Sequence, residues 1–77
     1  MFQNETTNKL IELGYHYNAK GDYLFKTIEI HRGGSHKTWK ETDRATCFYE
    51  NGEFEFTGFD YLINELKEEL RKGEILE

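Results

Sequence analysis

Seventy-seven residues carrying a net charge of −5, with 16% aromatic side chains and one cysteine, can make a single thin-cored domain and no more. A chain this short buries only about 60% of its unfolded surface. Cys47 alone rules out an internal disulfide and no apolar run reaches membrane-spanning length. The opening MFQNETTNKL has neither the basic start nor the apolar block of a signal peptide, so a cytoplasmic location is expected.

Residues 1–77 are read as one α+β domain, with the final Leu76-Glu77, compatible with a cloning remnant, given no weight. Valine and proline are absent, so Phe, Tyr, Leu and Ile carry the apolar mass. The charge is uneven. Residues 20–44 sum to +2 and residues 45–77 to −6. Any attraction to nucleic acid is therefore confined to the middle of the chain.

The first expected element is a short helix. Asn4 or Thr6 offers an N-cap oxygen, and Leu10, Ile11 and Leu13 form an apolar face. Gly14 follows at the C-terminal stop, with Tyr15 placed to pack back on Leu10. Turn-forming residues occupy 17–22, while the pairing of residues 15–17 is left open. Tyr23 to Arg32 then alternates as a strand, with Leu24, Ile28 and Ile30 on one face and Tyr23, Phe25 and Thr27 on the other. Lys26 interrupts the apolar face. Gly33-Gly34-Ser35 is read as a turn, and Lys37 to Thr42 as the returning strand.

The stretch FYENGEFEF carries the sharpest local signal. Asn51-Gly52 between alternating residues predicts a two-residue type I′ turn, because both central positions need positive φ. That turn sets Glu50 opposite Glu53, Tyr49 opposite Phe54, Phe48 opposite Glu55 and Cys47 opposite Phe56. Ala45, Cys47, Tyr49, Phe54 and Phe56 then face the core. Phe48 is left outside among Glu50, Glu53 and Glu55.

A final helix is expected after Thr57-Gly58-Phe59-Asp60, read as a capping box, with Phe56 and Tyr61 as a hydrophobic staple. Its apolar stripe is Phe59, Leu62, Ile63, Leu66 and Leu70, and Gly73 ends it. The whole predicts a two-layer α+β sandwich: helix, three or four antiparallel strands, helix, with both helices on one sheet face.

Chemistry finds little support in these residues. The stretch HRGGSHKTWKE has glycines, but a strand and not a helix follows them, so it lacks the layout of a phosphate loop. His16, His31, His36 and Cys47 have no metal-ligand spacing. Ser35 is the sole serine and has no base beside it. The order of elements is similar to that of the double-stranded-RNA-binding domain. That family needs lysines at the start of its last helix, where this chain has Thr57-Gly58-Phe59-Asp60-Tyr61. No enzyme activity, cofactor or metal is expected.

The start Asn8-Lys9-Leu10-Ile11-Glu12-Leu13-Gly14-Tyr15, the short aromatic strands and the terminal amphipathic helix resemble small phage and prophage-encoded proteins of Gram-positive bacteria. The resemblance implies an accessory protein of the bacterial cytoplasm that acts by binding a host protein. It assigns no functional residues.

Two functions compete. The first is a protein-interaction module, or a self-associating one, using Phe48, Trp39, Phe25 and Tyr23 on the open sheet face. The second is a weak single-stranded nucleic-acid binder using Arg32, Lys37, Lys40 and Arg44 with Trp39 as a stacking platform.

Overall fold

The computed structural model describes residues 4–33 and 41–76. The chain runs α1 (Glu5–Glu12), β1 (His16–Asn18), β2 (Tyr23–Arg32), β3 (Glu41–Glu50), β4 (Glu53–Gly58) and α2 (Asp60–Lys72). The strands form one antiparallel meander in the order β1-β2-β3-β4. This is the α+β architecture expected, with four strands. The open question at residues 15–17 resolves as a short edge strand in which His16, Tyr17 and Asn18 pair with Phe25, Leu24 and Tyr23.

Asn51 at φ 52° and Gly52 at φ 82° make the tight reversal that the Asn-Gly pair favours. The ladder that follows is the expected one: Glu50 pairs with Glu53, Tyr49 with Phe54, Phe48 with Glu55 and Cys47 with Phe56. On the other side, Leu24 pairs with Tyr49, Lys26 with Cys47 and Ile28 with Ala45. Directly opposed residues share a face and neighbours alternate. Leu24, Lys26, Ile28, Ala45, Cys47, Tyr49, Phe54 and Phe56 therefore line the helix-covered side.

The core is built there. Leu24, Ala45 and Cys47 are buried with Leu62, Leu66 and Leu70 of α2 and with Leu10 of α1 and Tyr15. The three leucines recur at i, i+4 and i+8, one stripe of an amphipathic helix. Ile63 packs partly against the cluster, and so do Ile75 and Leu76. Leu76, given no weight in the sequence reading, is thus in contact with the core.

Lys26 is the exception on the apolar face, and the structure explains it. Its ammonium donates to the Leu13 carbonyl at 2.6 Å and to Glu69 Oε1 and Oε2 at 2.8 and 3.1 Å. One side chain of β2 thereby ties the end of α1 to α2. Three donors meet three acceptors, which satisfies the ammonium away from bulk water. A second link joins the helices, where Lys9 Nζ donates to the Gly73 carbonyl at 3.4 Å.

The ends of α1 match their sequence signals. Asn4 accepts from the Thr7 backbone N–H at 2.9 Å and its own N–H donates to Thr7 Oγ1 at 2.9 Å, a reciprocal cap. The Tyr15 N–H reaches the Leu10 carbonyl and the Gly14 N–H reaches that of Ile11, the two bonds of a Schellman ending. Ile11, expected on the apolar face, is 45% exposed.

The start of α2 departs from expectation. Thr57 and Gly58 remain in β4, where Gly58 pairs with Ala45, and the N-cap is Phe59 with no side-chain cap bond. Strand pairing has taken the residues of the supposed capping box. Gly58 has φ 113°, and a Cβ there would lie 2.2 Å from the Arg44 carbonyl oxygen, so only glycine fits this junction. Phe59 and Tyr61 are consequently exposed, at 48% and 44%, instead of lying in the stripe and the staple.

At the other end, Gly73 caps α2 at φ −83°, and the left-handed residue is Glu74 at φ 59°. The Glu74 and Ile75 N–H groups close the helix on the Arg71 and Leu70 carbonyls. The β2–β3 connection runs through residues 33–40. The turn expected at Gly33-Gly34-Ser35 and the strand start at Lys37 fall mainly within 34–40, outside the described residues. Among the described residues no helix is long and apolar enough to cross a membrane.

The Lys26–Glu69 pair is only partly exposed, its side chains at 20% and 36%. Glu69→Ala, which leaves the ammonium only the Leu13 carbonyl of its three acceptors, is expected to destabilise the domain by about 1–3 kcal/mol in urea unfolding. Replacing both residues by Met should cost less than the sum of the single changes. Strict additivity of the two would show that the pair does not bind the layers together.

Candidate interaction face

The opposite side of the sheet has no helix on it among the described residues. The register orders it in rows that cross the strands. At the Asn51-Gly52 end lie Asn18 and Tyr23, followed by Glu50 and Glu53. The next row is His16, Phe25, Phe48 and Glu55. Beyond it come Thr27, Thr46 and Thr57, then Glu29 and Arg44, then His31 and Thr42.

The aromatic rows form one connected cluster. Tyr23 meets Phe48 edge-on with centroids 5.6 Å apart, Tyr23 meets Phe25 at 6.0 Å, and His16 tilts over Phe25 at 5.8 Å. Tyr23, Phe25 and Phe48 shelter one another and are each half-buried, although no second layer covers them. Edge-to-face contacts of this kind stabilise each pair by about 0.5–1.5 kcal/mol beyond area burial. A shallow depression of about 300 Å³ opens at the hairpin end beside Phe48, lined also by Glu50, Asn51, Glu53, Phe54 and Glu55.

Electrostatics divide the face. The far rows neutralise themselves: Thr27 and Thr46 share a hydrogen bond at 2.8 Å, and Arg44 donates to Glu29 at 2.9 Å. His31 reaches Thr42 at 3.1 Å and Glu29 at 3.5 Å. None of Glu50, Glu53 or Glu55 has an ion-pair partner among the described residues. Three carboxylates without an ion-pair partner among the described residues thus border a cluster of three half-buried rings.

The sequence-derived candidates separate accordingly. Phe48, Phe25 and Tyr23 come together as expected. His16 joins them unforeseen; its signal lay in residues 16–18, whose alternation is too short to be read as a strand. Trp39, Lys37 and Lys40 lie outside the described residues. Arg32 is not near the aromatic cluster. It points to the helix side, where it donates to the Asp43 carboxylate at 3.1 Å, with Glu41 3.6 Å away. Arg32 and Arg44 are therefore on opposite faces, each held by a carboxylate.

Asp43, another residue not singled out in the sequence, is 2% exposed and accepts from both Arg32 and the Tyr61 hydroxyl. That hydrogen bond to Asp43 pushes the Tyr61 phenol above its usual range. The arrangement pins the first turn of α2 to β3.

Inside the core, the Tyr15 hydroxyl is buried without a well-formed hydrogen bond among the described residues. The Cys47 thiol beside it is a weak partner. Burial raises the pKa of both groups and keeps them protonated, and the Glu69 charge adds to it. A neutral, enclosed thiol is a packing group and a poor nucleophile. Among the described residues no group of three or more His, Cys, Asp or Glu is placed to hold a metal ion.

Comparison with known proteins finds no family model that matches the chain, no curated protein significantly similar to it and no solved structure that matches its fold.

The interior pair has a pH signature. Folding raises both pKa values, so the native state keeps protons that the unfolded chain releases. Stability is then complete below the unfolded thiol range near pH 8.5 and declines as pH rises, first through Cys47 and above about pH 10 through Tyr15. Urea midpoints measured from pH 7 to 10.5 should fall in that order, and Cys47→Ala should flatten the first part. A midpoint that rises with pH in this window would contradict the assignment.

Proposed function

We propose that this chain is a non-enzymatic protein-interaction module whose open sheet face binds a basic segment of a partner protein. The observation that carries the reading is the juxtaposition of the Tyr23, Phe25 and Phe48 cluster with the unpaired carboxylates of Glu50, Glu53 and Glu55. Ring faces attract cations, and aromatic anchors within a charged rim are the usual composition of an energetic hot spot. A Lys or Arg side chain laid into the depression beside Phe48 would gain both kinds of contact at once. The resemblance to phage-encoded accessory proteins makes a bacterial host protein the partner to look for.

The nucleic-acid reading draws no comparable support from the described residues. Its two described cations, Arg32 and Arg44, are already paired with carboxylates on different faces.

The test is a two-dimensional NMR titration of the labelled protein with an arginine-rich peptide and with a glutamate-rich control. Shifts should map to His16, Tyr23, Phe25 and Phe48 with the basic peptide only. Phe48→Ala or the pair Glu53→Lys, Glu55→Lys should weaken binding roughly tenfold, equivalent to about 1.4 kcal/mol. Shifts confined to α2 or to the β2–β3 connection, or variants that bind as well as wild type, would overturn the proposal.

A further inference from the structure

β1 is only three residues long and covers β2 from Tyr23 to Phe25. From Lys26 to Arg32 the outer edge of β2 has no strand beside it, and no backbone hydrogen bond reaches it from elsewhere among the described residues. Alternate N–H and C=O groups along this edge therefore point outward unpaired. Natural sheets usually blunt such an edge with proline, a bulge or inward-pointing charge. Here the inward charges, Lys26 and Arg32, stand at its two ends. Thr27-Ile28-Glu29-Ile30-His31 lies between them, with Ile30 39% exposed on the helix side.

We infer that the free edge of β2 is a self-association surface on which a second copy of this chain pairs antiparallel, joining two four-stranded sheets into one of eight strands. The inference is independent of the open-face reading, since it uses the edge of the sheet and not its face.

The occupant follows from self-complementarity. A two-fold axis between antiparallel edge strands must keep both helix layers on the same side, so opposed residues must have the same facing. That restricts the axis to a residue position. Centred on Glu29, the pairing would set Glu29 against Glu29 of the second copy, like charges face to face. Centred on His31, it would set the two imidazoles together and oppose Ile30 to Arg32. Centred on Ile30, it sets Ile30 against Ile30 on the helix side and Glu29 against His31, twice, on the open side. Only this last register sets apolar against apolar at the axis and acid against imidazole beside it; farther out it opposes Ile28 to Arg32. Glu29 and His31 already approach each other within one strand at 3.5 Å, so the dimer alternates these groups across the axis.

The experiment is sedimentation velocity on the full chain from about 10 μM to about 1 mM, the range in which a modest interface shows itself. A mass that rises to twice the monomer is expected. Ile30→Lys brings two ammonium groups together at the axis and should hold the protein monomeric throughout, with an unchanged circular dichroism spectrum. Phe48→Ala should leave the dimer intact.

Register is read separately in a Cys47→Ala background. Ile30→Cys should form a disulfide-linked dimer under mild oxidation, because directly opposed antiparallel residues lie within disulfide reach. Thr27→Cys, which faces Gly33 of the second copy, should not. A wild-type monomer at every concentration overturns the inference. So does a dimer that survives Ile30→Lys, one that is lost with Phe48→Ala instead, or crosslinking at Thr27→Cys in place of Ile30→Cys.

Discussion

The phase of the β3–β4 hairpin decides everything else in this molecule. Two residues, Asn51 and Gly52, accept the positive φ that a tight reversal between twisted strands requires. With that reversal in place, each neighbouring residue has its side of the sheet assigned, since a slip of one position would turn every side chain over. Ala45, Cys47, Tyr49, Phe54 and Phe56 go toward α2, and Phe48 goes to the other side with three glutamates. Pairing of β2 on β3 extends the same phase, bringing Tyr23 and Phe25 to Phe48 and Leu24 to the core.

A core this small is assisted by polar pins at its margins. Lys26 and Glu69 join β2, the end of α1 and the last turns of α2 at one end. Asp43, with Arg32 and Tyr61, fixes the first turn of α2 at the other. Between them lies the leucine stripe. The helix is thus held at both ends by charge and in the middle by burial. That division suits a thin layer, in which apolar area alone is scarce. It also occupies Arg32, Arg44 and Lys26 internally, and the cations of the described sheet are consequently spent on structure. The carboxylates beside Phe48 are not.

Local chemistry was legible wherever one short stretch decides the conformation. The Asn51-Gly52 turn, the Asn4 cap, the Gly14 ending and the leucine spacing of α2 each depend on residues within a few positions of one another. Features set by partners distant in the chain were not legible. Thr57-Gly58-Phe59-Asp60 has the composition of a cap, yet Gly58 is claimed by pairing with Ala45 and the helix starts later. Lys26 reads as a fault in an apolar row until Glu69 and the Leu13 carbonyl are seen beside it. His16 and Asp43 gain their roles only from register. Of the candidate site, the three aromatics followed from alternation. Alternation puts Arg32 on the face of Leu24, Ile28 and Ile30, but that Asp43 and Tyr61 meet it there is seen only in the fold.

What emerges is a domain with two unequal unsatisfied surfaces: an aromatic face bordered by unpaired acid, and the bare edge of β2. The first exists only if the hairpin phase is as described, which an aromatic nuclear Overhauser spectrum reads directly. The Phe48 ring should show cross-peaks to the Tyr23 ring, 5.6 Å away between centroids, and none to the methyl groups of Leu62, Leu66 or Leu70. Cross-peaks from Phe48 to those leucines, with none to Tyr23, would place Phe48 under the helix and contradict the account at its root.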